Sequence, residues 1–270
     1  MFFDKCNIIS FSTFAKSNTK PQICYMTFKL KHSLILVGIF CFTLLACEKA
    51  LDILQKTGLT NEEITQGLKE ALTVGTDTSV TVLSKTDGYY MDQAVKIFLP
   101  EEAQVIYSSI NKIPGGNLLL ENTILSINRA AEDAAPGSKQ ILWNAITGIT
   151  ISDGLSILNG SDTAATTYLK GKTFDSLFVL FEPKIKQSLS KQLVGSVSAE
   201  SAYTDLVNAY NTASLNGILW DQIKTNSLSK HVTQKGLDGL FLKVAVEEKL
   251  IRENPLHRIS EILKKVFTKQ

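Results

Sequence analysis

Thr60-Asn-Glu-Glu-Ile-Thr-Gln-Gly-Leu-Lys-Glu-Ala-Leu-Thr-Val-Gly-Thr-Asp-Thr-Ser-Val-Thr-Val-Leu-Ser84 decides the fold class. Its opening Thr60-Asn-Glu-Glu63 is a capping box: the Thr60 hydroxyl can accept from an otherwise unmet backbone N–H while Glu63 reaches back to the cap residue. Ile64, Leu68, Ala71, Leu72, Gly75 and Ser79 then recur at helical spacing, so one face of a long helix is apolar and must be buried. Asp87-Gly88 breaks it.

Working outward, the same pattern repeats. Pro100-Glu-Glu-Ala places proline and two acids where a helix N-terminus favours them, and that helix ends at Ile113-Pro-Gly-Gly116. Asn117 can cap the next, whose stripe is Leu120, Ile124, Ile127, Ala131 and Ala134. Further helices are predicted from Ser138 to Gly148, within Ser152–Gly160, from Ser161 through Tyr168, from Thr173 to Lys191 and from Ala199 to Ala213. Pro183 predicts a kink or break near Phe181. Trp220 is read as an anchor in the less regular stretch Leu215 to Leu228. A long helix from about Ser229 to Glu253 presents Leu237, Leu240, Phe241, Val244 and Ile251, and a last one spans Ile259 to Phe267. Ala94-Val-Lys-Ile-Phe-Leu99 could be a strand, but a lone strand has no partner in a helical setting. Helices joined by short connectors make the chain all-α, a single bundle-like multi-helix domain.

In front of that domain lies Leu34-Ile-Leu-Val-Gly-Ile-Phe-Cys-Phe-Thr-Leu-Leu-Ala-Cys47, preceded by Lys29, Lys31 and His32. A basic flank, a short apolar core and a small-residue cleavage site make a secretory signal, whereas a spanning helix needs about 20 apolar residues. Leu44-Leu-Ala-Cys47 resembles the lipobox of bacterial lipoproteins, which implies cleavage before Cys47 and a lipid on its thiol. The expected organisation is therefore a mis-called or disordered leader at 1–25, a signal peptide at 26–46 starting from Met26, a lipidated tether at 47–59 and a helical domain at 60–270. Cleavage would remove five lysines and Asp4 from the 28 basic and 26 acidic residues, leaving 23 against 25 and a net charge near −2. Without clustered Lys and Arg, that surface has no electrostatic footprint for nucleic acid. With Cys47 the one cysteine left, no disulfide framework is possible.

Asp87-Gly-Tyr89, Asn128-Arg-Ala-Ala-Glu132, Thr150-Ile-Ser-Asp153, Ile157-Leu-Asn-Gly-Ser-Asp-Thr-Ala-Ala165, Leu237-Asp-Gly-Leu-Phe241 and Glu247-Glu-Lys-Leu-Ile-Arg252 resemble, in order, a bacterial lipoprotein family catalogued as a domain of unknown function (number 4197). The resemblance covers nearly all of Gly67 to Phe267. It implies an exported, largely helical, lipid-anchored protein and supplies no activity or catalytic residue.

Motif chemistry is sparse. Gly171-Lys172-Thr173 imitates the end of a phosphate-binding loop, but position 166 is Thr166 where the first glycine must stand. His231 and His257 are the only histidines beyond the signal, with no thiol pair and no H-x-x-x-H, so neither a metal site nor a cofactor is expected. They are read as surface or helix-end residues. Asp153, Asn159 and Asp162 lack calcium-loop spacing, and no G-x-S-x-G elbow occurs. Charges inside apolar stripes carry more information. Glu248, four after Val244 and three before Ile251, falls on the buried face of its helix, where an unpaired carboxylate costs several kcal/mol. Arg252 one turn later is the nearest partner, with Arg129 and Arg258 as others. Arg129, Glu132, Asp153, Asp238, Glu248 and Arg252 thus form a candidate polar cluster, either an internal ion-pair network fixing helix register or a pocket for a small ligand or acid–base work.

The functional expectation is a non-enzymatic, lipid-anchored protein of the cell envelope, on the periplasmic side of a membrane or at the cell surface. Its partners would be the membrane, through the lipid on Cys47, and an envelope protein or an apolar ligand held between helices. The alternative is an envelope hydrolase or small-ligand-binding protein that uses the Glu/Asp/Arg cluster.

Overall fold

The Thr60 box forms as its spacing predicts: Thr60 Oγ1 accepts from Glu63 N at 3.2 Å, and Thr60 N donates to Glu63 Oε2 at 3.1 Å. A cap of this kind is worth about 1 kcal/mol. It starts α1 (Asn61–Leu83), which buries Ile64, Leu68, Ala71, Leu72 and Leu83. The computed structural model describes residues 58–224 and 227–268, excluding the side chains of residues 151–153. The signal segment and Cys47 lie outside the described residues. Among the described residues the protein is all helical, with no strand, and no helix is long and apolar enough to cross a membrane.

After α1 come a short α2 (Val105–Ser109), then α3 (Gly116–Ala134), α4 (Lys139–Thr147) and α5 (Ile151–Leu158). They are followed by α6 (Ala164–Leu189), α7 (Ala199–Ala213), α8 (Leu228–Glu253) and α9 (Glu261–Phe267). Helix α1 packs against α8, α9, α5 and α4; α6 packs against α8 and α3; α3 also carries α7. Helices α6 and α8 run antiparallel, since Ser229 bonds to Glu182 at one end and Thr166 to Glu248 at the other. Trp220 packs its ring 5.9 Å from that of Tyr210 on α7, with the Lys112 ammonium over its face.

Three elements differ from the periodicity reading. The two helices expected around Ser161–Tyr168 and Thr173–Lys191 are one continuous α6 that passes through Pro183. Proline removes the N–H that would bond the carbonyl of Val179, but Val179 is 69% exposed; water can meet that carbonyl, so the helix continues. The cap of α3 is Gly115 rather than Asn117, in the left-handed region at φ +68°, which glycine enters without steric cost. The segment from Pro100 to Ile113 divides into short α- and 3-10 turns.

The segment Lys85–Leu99 is not a strand, and its backbone groups are met by side chains. Asn128, fully buried on α3, accepts from Ile97 N at 2.9 Å and donates to Ile97 O at 2.8 Å, doing with one amide what a neighbouring strand would do. Glu132 Oε1, one turn further on, accepts from Tyr89 N and Tyr90 N, both at 3.1 Å. The strap is tied to α8 as well: the Tyr89 hydroxyl donates to Gly236 O at 2.8 Å, and Lys243 pairs with Asp92. At Gly239 a Cβ would come within 3.1 Å of both Tyr89 and Val95, so the absence of a side chain lets the strap lie on the helix.

Candidate functional site

The charged residues singled out by their helical stripes fall into three groups with different partners. The first is Glu248 and Arg252. The Glu248 carboxylate, 1% exposed, accepts from Ala165 N at 3.0 Å, Thr166 N at 2.7 Å and Thr166 Oγ1 at 2.7 Å, all at the start of α6. Arg252 Nε donates to it at 2.9 Å, and Nη1 and Nη2 donate to Leu158 O and Ile157 O, the last carbonyls of α5. One ion pair on α8 therefore satisfies the C-terminal end of α5 and the N-terminal end of α6, on either side of the turn between them. Both helix dipoles favour these signs of charge, and the unmet groups that end every helix are matched. Arg258 does the same for α8, donating to Ile251 O at 3.0 Å and Arg252 O at 2.8 Å.

The second group is Arg129 and Glu132. Arg129 bridges Glu132 Oε2 and Asp87 Oδ1, each at 2.7 Å, and stacks near Tyr90. Together with Asn128 these residues pin the strap. Burial and the nearby Glu132 charge push the Tyr89 phenol well above its ordinary pKa, so it stays a hydrogen-bond donor. Four of the six segments quoted for their resemblance thus pair off: 87–89 with 128–132, and 157–165 with 247–252.

Asp238 forms the third, and it is partly open to solvent. It accepts from Lys170 Nζ at 2.7 Å and Gln234 Nε2 at 3.1 Å. Asp153 has no described side chain; beside it, Gly154 lets α5 approach α1, since a Cβ there would meet Thr65 Oγ1 at 2.8 Å.

Asp238 lies on the wall of a cleft of about 580 Å³ between the strap (Ala94–Leu99), the first turns of α6 and the part of α8 from His231 to Ala245. Val95, Phe98, Leu99, Phe241 and Leu242 provide apolar wall; Lys96, Lys170 and Lys235 provide the positive groups, with the His231 imidazole beside them. This is mid-range for small-molecule sites, roughly 300–1,000 Å³. Lys170 is neutralised by Asp238 and sits over Phe174 and Phe241. Lys96 lies over the Tyr90 ring at 4.1 Å. His231 Nε2 is 2.9 Å from Phe98 O. Burial lowers its pKa, as does Lys235, against the raising effects of the Phe98 carbonyl and Glu102.

Lys96, Lys170, Lys235 and His231 were outside the cluster expected from sequence, although a signal exists for the three that lie on helices. His231, Lys235, Asp238, Leu242 and Ala245 recur at i, i+4, i+7, i+11 and i+14 along α8, and Thr163, Thr166, Thr167 and Lys170 at i, i+3, i+4 and i+7 along α6. Each is a second helical stripe beside the apolar one. Among the described residues no group of three or more His, Cys, Asp or Glu gathers to hold a metal ion.

Compared with known proteins, residues 58–268 match one family model, described as Protein of unknown function (DUF4197). No curated protein and no solved structure matches the chain.

Proposed function

The chain belongs to the family described as Protein of unknown function (DUF4197), and from that premise we propose that it is a non-enzymatic, lipid-anchored protein of the cell envelope that binds a small ligand in the cleft between the strap, α6 and α8. The observation that carries the binding reading is the division of labour among the charges. Glu248, Arg252, Arg129 and Glu132 are consumed by helix ends and by the strap, and a carboxylate so engaged is a poor general base. The cleft keeps Lys235 exposed among apolar walls, with no hydrogen bond or ion pair of its own among the described residues. Anchoring is supported by the Leu44-Leu-Ala-Cys47 sequence behind a basic flank and short apolar core.

Both halves have a direct test. Full-length protein purified from membranes is expected to show, by intact mass, a lipid on Cys47 as the new N-terminus, and Cys47→Ser to leave the membrane fraction. Native mass spectrometry of the same preparation is expected to show a bound small molecule that is lost in Thr167→Trp, which fills the cleft from an exposed position of α6. An unmodified N-terminus overturns anchoring; identical spectra for both proteins overturn binding in the cleft.

A further inference from the structure

We infer that the ligand of this cleft is an amphipathic anion: a carboxylate or phosphate group carried on an apolar body. The inference rests on the binding reading above and adds the chemical class. Of the cleft's charged side chains, Lys170 and Asp238 neutralise each other at 2.7 Å. What remains is the positive charge of Lys96 and Lys235, which have no ion pair among the described residues; the His231 imidazole is engaged with Phe98 O of the strap.

The two lysines are positioned differently, and both positions suit an anion. Lys96 is held over Tyr90, whose ring face attracts the ammonium without neutralising it, because a ring quadrupole carries no net charge. Lys235 is exposed one turn beyond His231, so its ammonium can swing over the cleft at little cost in solvation. The start of α6, which would otherwise attract an anion with its free N–H groups, is already filled: Glu248 takes Ala165 N and Thr166 N from behind. The anion's partners are therefore side-chain ammonium groups at the mouth, with the Thr163 and Thr167 hydroxyls on the adjoining wall. Beneath them Val95, Leu99, Gly239, Phe241 and Ala245 line an apolar surface that a simple inorganic ion would leave unused. A cationic ligand meets two lysine ammonium groups, and a neutral polar one leaves both without a counter-charge.

The test uses decanoate, decyl phosphate and decanol as probes, titrated calorimetrically into the delipidated full-length protein at low and at physiological salt. Decanoate or decyl phosphate is expected to bind at one site, the two arms showing which head group is preferred, and decanol to bind at least about tenfold more weakly, tenfold being about 1.4 kcal/mol. Lys235→Glu is expected to weaken the anion about tenfold without changing the circular dichroism or melting temperature, and added salt to weaken it further. Decanol binding as tightly as the anions, or Lys235→Glu binding them unchanged, overturns the inference. If neither anion binds while native mass spectrometry still finds a neutral or cationic molecule that Thr167→Trp excludes, the anionic class falls and the cleft stands as a binding site. If that molecule is also absent, both fall.

Discussion

Helix α8 carries two kinds of charge, with Lys235 and Glu248 about 20 Å apart along its axis at 1.5 Å per residue. Near its C-terminal end, Glu248 and Arg252 are almost fully buried, and their hydrogen bonds are spent on the ends of α5 and α6. In its N-terminal half, His231, Lys235 and Asp238 open on the cleft, and Lys235 has no hydrogen bond or ion pair among the described residues. The difference lies in the angle at which each stripe leaves the helix. Glu248 shares the face of Val244 and Ile251, which the bundle covers, so its charge has to be matched internally or left unmet at a cost of several kcal/mol. Lys235 lies on a neighbouring face where solvent does the matching. A charge that the fold has already used holds structure, and a charge that water alone satisfies can be given to a ligand.

That contrast can be broken most directly at Glu248. Replacing it with Ala leaves Arg252 buried without its carboxylate and uncaps α6; a loss of about 3–5 kcal/mol is expected in urea unfolding, and a loss below about 1 kcal/mol would show that the pair is not structural. Asn128→Ala comes next. It leaves Ile97 N–H and C=O buried and unmet, expected to cost about 2–3 kcal/mol, with hydrogen exchange at the Ile97 amide rising more than at α1 amides.

The third test concerns pH and His231. Its folded pKa is depressed below the unfolded value of 6.5. The unfolded chain therefore binds the proton first as pH falls, and stability decreases from above 6.5 downward through that window. His231→Gln is expected to flatten the slope of melting temperature against pH between neutrality and pH 5; an unchanged slope would remove His231 as its source. The smallest effect sharpens the comparison from the other side. Lys235→Glu is expected to change stability by no more than about 0.5 kcal/mol, because the side chain is exposed and holds no ion pair among the described residues.

Several of these roles were legible in the residues. The offset of Glu248 relative to Val244 and Ile251 marks a buried carboxylate, and the i+4 spacing to Arg252 names its nearest partner; the structure has them at 2.9 Å. What spacing could not supply was the other half of each interaction. The N–H groups of Ala165 and Thr166 lie more than eighty positions before Glu248, and periodicity within a helix carries no information about which helix end will arrive beside it. The strap is a sharper instance. Ala94–Leu99 has a strand-like composition and no strand to pair with, and its partner proved to be the Asn128 side chain. At Pro183 the helix runs on without a break, because the carbonyl that proline frees belongs to exposed Val179, where water can meet it.

The sequence alone determined that this is a helical domain, where several of its helices start and stop, and which charges had to find partners inside, because capping and amphipathic spacing act over one or two turns. It also carries the signal and lipobox pattern from which anchoring at Cys47 is proposed. Only the tertiary structure decided that the five candidate residues with described side chains fall into three groups with separate tasks and that a cleft opens between the strap, α6 and α8. Its lining comes from three stretches separated by about sixty residues or more. Such a surface exists only once packing has brought those stretches together, and no local rule records it.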